Sequence, residues 1–328
     1  MQPNIQSIAL FSPAASAALG GAIAKLLGVP LSPIEETEFG GGERKLRPLE
    51  DVRGRSACVI HSLFGGPLGS ANDHLCEMLF LIGALKDAGA RRITACAPYL
   101  AYARQDRRIE SGDPVTTRYV AQLFEAVGVG RVICLDVHDP AAFENAFRCG
   151  TVHVDAGSTF VQHVASKPSG LEYVVASPDI GGAKRARHFQ GLLQTALCRP
   201  VDYALMDKTR SRGGLSGTLF AGDVAGKHVI ILDDLISSGT TVLRAVSACR
   251  RAGATRVDVA ATHASFAPEA RRLFDPGIPA HERPDSVVVT DSVPLAAGFS
   301  GYAKASLTVL GIAPVLAEAI GSPEAGCS

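Results

Sequence analysis

The 328 residues carry no excess of either charge, because 32 Lys and Arg stand against 32 Asp and Glu. That balance removes any global argument for a nucleic-acid binder or a membrane-surface protein, so an anion site here must be local. No C-x-x-C pair occurs among the eight cysteines, at positions 58, 76, 96, 134, 149, 198, 249 and 327, and their spacing does not suit zinc. They read as reduced residues, mostly in the core. No apolar run reaches the roughly 18 residues that a membrane-spanning helix needs. The Ala-rich stretch from Ser7 to Val29 lacks the basic start of a signal peptide, is interrupted by Lys25, and divides into a strand-like SIALF and a helix-like Ala14–Leu27. A soluble, cytoplasmic protein is expected. A G-x-x-x-x-G-K-[ST] phosphate loop is also missing; GDVAGKH at 222–228 has neither the spacing nor the hydroxyl. Any nucleoside triphosphate must be held by something else.

What is present reads as an ordinary globular chain, long enough for about two domains. Short apolar runs, CVIHS, RITACA and RVICLDV, alternate with helical patterns near His74–Ala88 and Thr117–Val127. The second half repeats the scheme with YVVAS, VDYALM, HVIILD, VDVAAT and SVVVTD. Strict alternation implies an α/β architecture, with mostly parallel sheets covered by helices. The segment KDAGARRITACA (86–97) resembles RRAGATRVDVAA (250–261), each with a helix end, an Ala-Gly-Ala turn and a buried strand. Such a likeness suits either a duplicated α/β domain or a generic α/β connection. The boundary between halves is expected near Gly150–Val154, with Lys167–Gly170 as a surface turn.

The most specific motif is HVIILDDLISSGTTVLRAVSAC, residues 228–249. An apolar run ends in Asp233 and Asp234; a loop of Ser237, Ser238, Gly239, Thr240 and Thr241 follows; then Val242, Ala245, Val246 and Cys249 share one helix face. Small residues let backbone wrap an anion closely, and a helix N-terminus adds free N–H groups and a favourable dipole. The loop suits a monophosphate. The paired carboxylates would repel that phosphate, but aimed at a pentose they accept hydrogen bonds from its 2- and 3-hydroxyls.

This motif resembles the 5-phosphoribosyl diphosphate loop shared by phosphoribosyltransferases and ribose-phosphate diphosphokinases. Further segments resemble the diphosphokinases in particular, and carry the likeness over nearly the whole chain. In PYLAYARQDRR (98–108), Arg104 and Gln105 match residues that contact ATP in that family, with Arg107 nearby as a phosphate ligand. SPDIGGAKRARHF (177–189) looks like the family's segment for ribose 5-phosphate and metal, which assigns Asp179, while the family's metal histidine matches His138 of LDVHDP. Together they imply a Mg²⁺ site, with His138 also near ATP. MDKTRSRGG (206–214) stands where the family has a flexible catalytic loop; Lys208 and Arg210 match its catalytic Lys and Arg. Phe39 and Glu43 match an adenine-contacting motif supplied by a neighbouring subunit, although the family's aspartate is replaced by Gly41. Ser237, where many bacterial members carry an acidic residue, and the KTR sequence both look like the archaeal branch.

The resemblance implies two phosphoribosyltransferase-like domains, 1–152 with ATP and subunit contacts and 153–308 with the ribose 5-phosphate and catalytic loops. The segment 309–328 resembles a closing helix that returns to the first domain. It also implies transfer of diphosphate from MgATP to ribose 5-phosphate in a homo-oligomer, with no nucleic-acid or membrane partner. Two other readings use the same loop: a phosphoribosyltransferase that consumes the diphosphate, and a non-catalytic regulatory paralogue.

Overall fold

The apolar runs of the sequence become parallel strands, and the polar segments between them become helices, turns and one charged hairpin. A computed structural model describes residues 8–167, 170–210, 216–302 and 306–322, with backbone alone for 207–210 and 216–219. The chain begins with β1 (Ile8–Phe11) and, after a 3-10 turn, helix α1 (Ala17–Leu27). An antiparallel hairpin follows, β2 (Ile34–Glu38) and β3 (Arg44–Pro48). Alternation then sets in with β4 (Ser56–Ile60), α2 (Ala71–Asp87), β5 (Arg92–Ala97), α3 (Thr116–Ala126), β6 (Arg131–Leu135), α4 (Pro140–Ala146) and β7 (Gly150–Val154). The strands lie in the order β1-β4-β5-β6-β7, and every neighbouring pair is parallel. Parallel neighbours need crossover helices, which leave a strand buried on both faces and therefore apolar at successive positions. All five residues of β6 are buried.

The second half supplies α5 (Gly157–Ala165), β8 (Tyr173–Ser177), α6 (Ala183–Leu197), the hairpin β9 (Asp202–Arg210) and β10 (Ser216–Ala221), β11 (His228–Leu235), α7 (Thr240–Arg251), β12 (Arg256–His263), β13 (Ser286–Thr290) and β14 (Leu307–Leu310). Its sheet has the order β10-β9-β8-β11-β12-β13-β14 and is parallel except for the β9–β10 pair. A last helix, α8 (Ala313–Gly321), packs against α1. The buried side chain of Arg131 donates to the carbonyls of Ala319 (2.9 Å) and Ser322 (3.3 Å), so a cation closes the C-terminal end of that helix. The chain thus forms two compact units: everything up to Asp155 together with the segment from Gly311, and Ala156–Leu310.

The two Ala-Gly-Ala segments share more than a sequence pattern. Gly89 and Gly253 both sit in the left-handed region, at φ 86° and 93°, and their carbonyls accept the N–H of Gly54 and Gly226 respectively. The next bonds match too, Arg91 to the Arg55 carbonyl and Thr255 to the Lys227 carbonyl. The same turn therefore ties the same pair of strands, β4–β5 and β11–β12, in each unit.

Among the described residues the cysteines are free thiols. Cys58, Cys96, Cys134 and Cys249 are buried, and burial pushes Cys58 and Cys249 up to about 12, which keeps them protonated and inert. Cys76 and Cys198 are exposed.

Candidate active site

In the second unit the chain leaves β8 through α6 toward β9 on one side, and leaves β11 through α7 toward β12 on the other, while β8 and β11 are themselves neighbours. Such a reversal opens a crevice outside the C-terminal strand ends, where open α/β sheets bind their ligands. The expected residues gather at those ends. Asp179 follows β8, and Asp233 and Asp234 lie at the end of β11. Ser177, the last residue of β8, is level with Leu205, so Lys208 and Arg210 sit on the part of β9 that runs beyond β8.

Lys208 and Arg210 were expected in a flexible loop, but up to Arg210 the backbone is regular strand, with Lys208 opposite Thr218 and Arg210 opposite Ser216. Cross-strand hydrogen bonding to β10 accounts for the difference. Gly213 and Gly214 of the expected loop lie outside the described residues.

The phosphate loop is anchored at its base. Ile236 N–H donates to the His263 carbonyl (3.0 Å), and Ala267 N–H donates to the Ser237 carbonyl (3.2 Å). Ser238 Oγ lies 3.1 Å from Thr240 Oγ1 and accepts the Thr240 N–H at 3.4 Å. Gly239 caps α7 at φ 76°, and a Cβ there would come within 3.1 Å of the Leu273 side chain. Both backbone and space therefore demand glycine. Glycine as cap offers no side chain to the first-turn N–H groups of α7, and Ser238 takes only that of Thr240, at 3.4 Å, an arrangement that suits an anion. Ser237 and Thr240 are exposed, while Ser238 and Thr241 are half-buried.

The adjacent carboxylates are unequal. Asp234 is buried, and Arg185, in the first turn of α6, places Nη1 3.4 Å from its Oδ1. Asp233 accepts the Asp234 N–H on Oδ1 (2.9 Å) and is half-buried. Burial first, and then the Asp234 charge, hold the Asp233 carboxyl well above the ordinary carboxylate range, against the pull of Arg185. Asp179 closes a turn into α6: its Oδ1 accepts the Gly182 N–H (3.1 Å) and its carbonyl accepts the Ser177 hydroxyl (2.7 Å). A Cβ on Gly182 would lie 2.9 Å from that hydroxyl oxygen, so glycine lets strand and helix approach. Arg185 lies in the same SPDIGGAKRARHF segment as Asp179, but its pairing with Asp234 of β11 is made by packing and is not visible in that segment.

The first unit presents its residues at the ends of β5 and β6, which are joined where Leu135 N–H donates to the Pro98 carbonyl (3.1 Å). After β5, Tyr102 takes a left-handed conformation (φ 63°) and its carbonyl accepts from Gln105 N–H (2.9 Å) and Thr117 Oγ1 (2.9 Å). Thr116 also donates its hydroxyl to the Gln105 side chain. The segment is thus pinned to the start of α3, with Arg104, Gln105 and Arg107 exposed. His138 is exposed just past β6, and Asp139 caps α4 by accepting the Ala142 N–H (3.0 Å). Phe39, 49% exposed, and Glu43 flank the β2–β3 turn, where Phe39 N–H donates to the Glu43 carbonyl (2.8 Å). Gly41 and Gly42 stand at φ 90° and 84°, which explains glycine at position 41: two successive left-handed residues make the turn. His138 belongs to the first unit and Asp179 to the second.

An anion cradle beside two carboxylates is an arrangement that suits a phosphorylated polyol. Among the described residues no helix is long and apolar enough to cross a membrane.

Comparison with known proteins covers nearly the whole chain. A family model for the N-terminal domain of ribose phosphate pyrophosphokinase matches residues 8–128, and one for the phosphoribosyl transferase domain matches residues 155–277. The chain is 36% identical over 315 residues to a ribose-phosphate pyrophosphokinase of Pasteurella multocida, covering 95% of each chain. It is 34% identical over 312 residues to that of Wolinella succinogenes, covering 95% of this chain and 94% of the relative. Among solved structures, phosphoribosylpyrophosphate synthetase from Mycobacterium smegmatis superposes with a TM-score of 0.83 at 33% identity, over 95% of this chain and 97% of that one.

Proposed function

This chain belongs to the ribose-phosphate pyrophosphokinase family, and we propose on that footing that it transfers the β,γ-diphosphate of MgATP to the 1-hydroxyl of ribose 5-phosphate. The products are AMP and 5-phosphoribosyl 1-diphosphate. The observation that carries the reading is the glycine-capped loop of α7 standing directly after the Asp233–Asp234 pair at the β8–β11 crevice.

In this reading Ser237, Ser238, Gly239, Thr240 and Thr241 hold the 5-phosphate through backbone N–H groups and hydroxyls. Asp233 and Asp234 accept hydrogen bonds from the 2- and 3-hydroxyls, with Arg185 offsetting their mutual repulsion. Lys208 and Arg210 neutralise charge on the transferring group as the sugar oxygen bonds to Pβ and the bond from Pβ to the oxygen of AMP breaks. The hydroxyl proton passes to solvent as the bond between the sugar oxygen and Pβ forms. Arg104, Gln105 and Arg107 take ATP, with Phe39 and Glu43 contributed from a second copy in a homo-oligomer. Exposure of Phe39 at a hairpin tip supports that assignment.

Asp179 and His138 are assigned to Mg²⁺. A carboxylate together with substrate phosphates is the oxygen-rich set this ion prefers. Bound with ATP, Mg²⁺ supplies charge neutralisation on the phosphates. A cytoplasmic setting fits these substrates.

The test is AMP release from ATP, ribose 5-phosphate and Mg²⁺ with no nucleobase present, followed by chromatography over a panel of nucleoside triphosphates. AMP and 5-phosphoribosyl 1-diphosphate should form in equal amounts. If no AMP forms, but 5-phosphoribosyl 1-diphosphate is consumed when a base is added, the chain is a phosphoribosyltransferase instead.

A further inference from the structure

A buried cluster that the proposed reaction does not use lies between the end of β4 and the start of α2. His61 follows β4, and His74 and Glu77 lie one turn apart on α2; their exposures are 0%, 0% and 3%. Glu77 Oε2 is 3.1 Å from His61 Nε2 and 3.2 Å from His74 Nδ1, and one ligand atom from each residue falls within 4.8 Å of the other two. No other group of three such ligands occurs among the described residues.

We propose that His61, His74 and Glu77 form a site for a divalent transition-metal ion of the zinc class, separate from the Mg²⁺ that accompanies ATP. Two imidazole nitrogens and one carboxylate oxygen are donors that zinc accepts readily and that Mg²⁺ does not favour. Tetrahedral bonds of about 2.0–2.1 Å put neighbouring donors about 3.3 Å apart. The two short separations in the cluster already approach that spacing. An ion can therefore replace the protons now shared between the imidazoles and Glu77.

The surroundings hold the donors as a metal site requires. His61 Nδ1 lies 2.9 Å from Ser16 Oγ, which itself accepts the Ser62 N–H at 3.0 Å, so the ring cannot turn freely. The second oxygen of Glu77 accepts from Arg44 of β3, and Arg44 lies 3.5 Å from Glu36. The carboxylates of Glu77 and Glu36 outnumber the single guanidinium of Arg44, which favours a cation. A bound ion would tie β4 to α2 and, through Arg44, to the β2–β3 hairpin.

The test uses the full-length protein stripped with chelator, incubated with Zn²⁺ or Co²⁺ and dialysed. Wild type should retain about one equivalent of Zn²⁺ per chain and show a raised Tm. His61→Gln and His74→Asn should each lose both effects. Co²⁺ should give visible d–d bands without the intense near-ultraviolet bands of thiolate ligation, which separates this cluster from Cys76 and Cys198 and stands even if a variant fails to fold. Retention of no metal by wild type, equal retention by both folded variants, or a thiolate spectrum would each overturn the proposal.

Discussion

Arg185 reaches from the first turn of α6 to within 3.4 Å of Asp234, and both side chains are largely shielded from solvent. That contact decides how the two consecutive carboxylates at the end of β11 share their charge. Asp234 is compensated by the guanidinium. Asp233 is left as the strained partner, its carboxyl well above the usual range because of burial and the adjacent charge.

Replacing Arg185 with Met should raise KM for ribose 5-phosphate about tenfold, which corresponds to about 1.4 kcal/mol, while folding is retained. Without the guanidinium, Asp233 ionises less readily still, so the acid limb of kcat/KM should move to higher pH. Arg185→Lys should restore part of both effects. A pH profile that does not move in Arg185→Met would remove the residue from the site.

Asp233→Asn should trade activity for stability. A carboxyl whose folded pKa exceeds its unfolded value stabilises the fold only below the unfolded pKa, and that contribution is lost as pH rises through the folded one. At neutral pH the native state carries the cost either of holding that proton or of a second negative charge beside Asp234, and the amide relieves it. Urea unfolding at pH 7 should show a gain of about 1 kcal/mol, shrinking toward zero in acid, together with loss of turnover. Equal gains at both pH values would point to packing instead.

Lys208→Ala should lower kcat by about 100-fold or more, the scale of removing a group that stabilises developing charge. The phosphate loop and Asp233–Asp234 are untouched, so KM for ribose 5-phosphate should change little. Steady-state kinetics with saturating ATP checks both, and a near-normal kcat would end the assignment.

Asp258 tests the frame and not the chemistry. It is a buried residue of β12, whose carboxylate accepts from His228 Nε2 (2.9 Å), Lys167 Nζ (3.0 Å) and Arg256 Nε (3.1 Å). Burial opposes its charge, but these partners win and pull its pKa well below the ordinary value. Its contribution is therefore present above the unfolded carboxylate pKa and lost as pH falls toward the folded one. Asp258→Asn should cost about 3 kcal/mol at pH 7 and flatten the acid limb of a stability–pH curve measured by urea titration.

Legibility followed locality. The runs RVICL and HVIIL read directly as strands because parallel strands buried on both faces are apolar throughout. β2 and β3 were not foreseen, since IEETE and RKLRP are mostly charged and hold together through cross-strand pairs such as Lys45 with Glu35 (3.2 Å). β10 and β14, at the two edges of the larger sheet, were missed: SGTLFA lacks a strong apolar pattern, and Val309 and Leu310 read as part of the closing helix, which starts only at Ala313. In the site, Asp233 through Thr241 could be read as one unit because the chain itself makes them neighbours. Arg185 and Asp234, or His61 with Glu77, meet only through packing.

The sequence by itself determined the α/β alternation, the phosphate loop with its two acids, and the family resemblance that the full-length relatives bear out. Each of these rests on residues adjacent in the chain or on a period of the backbone. Only the tertiary structure decided which carboxylate is compensated, why glycine stands at positions 41 and 239, and that two histidines converge on Glu77. Those outcomes depend on burial, backbone dihedrals and distances between separate segments, which a linear pattern does not specify.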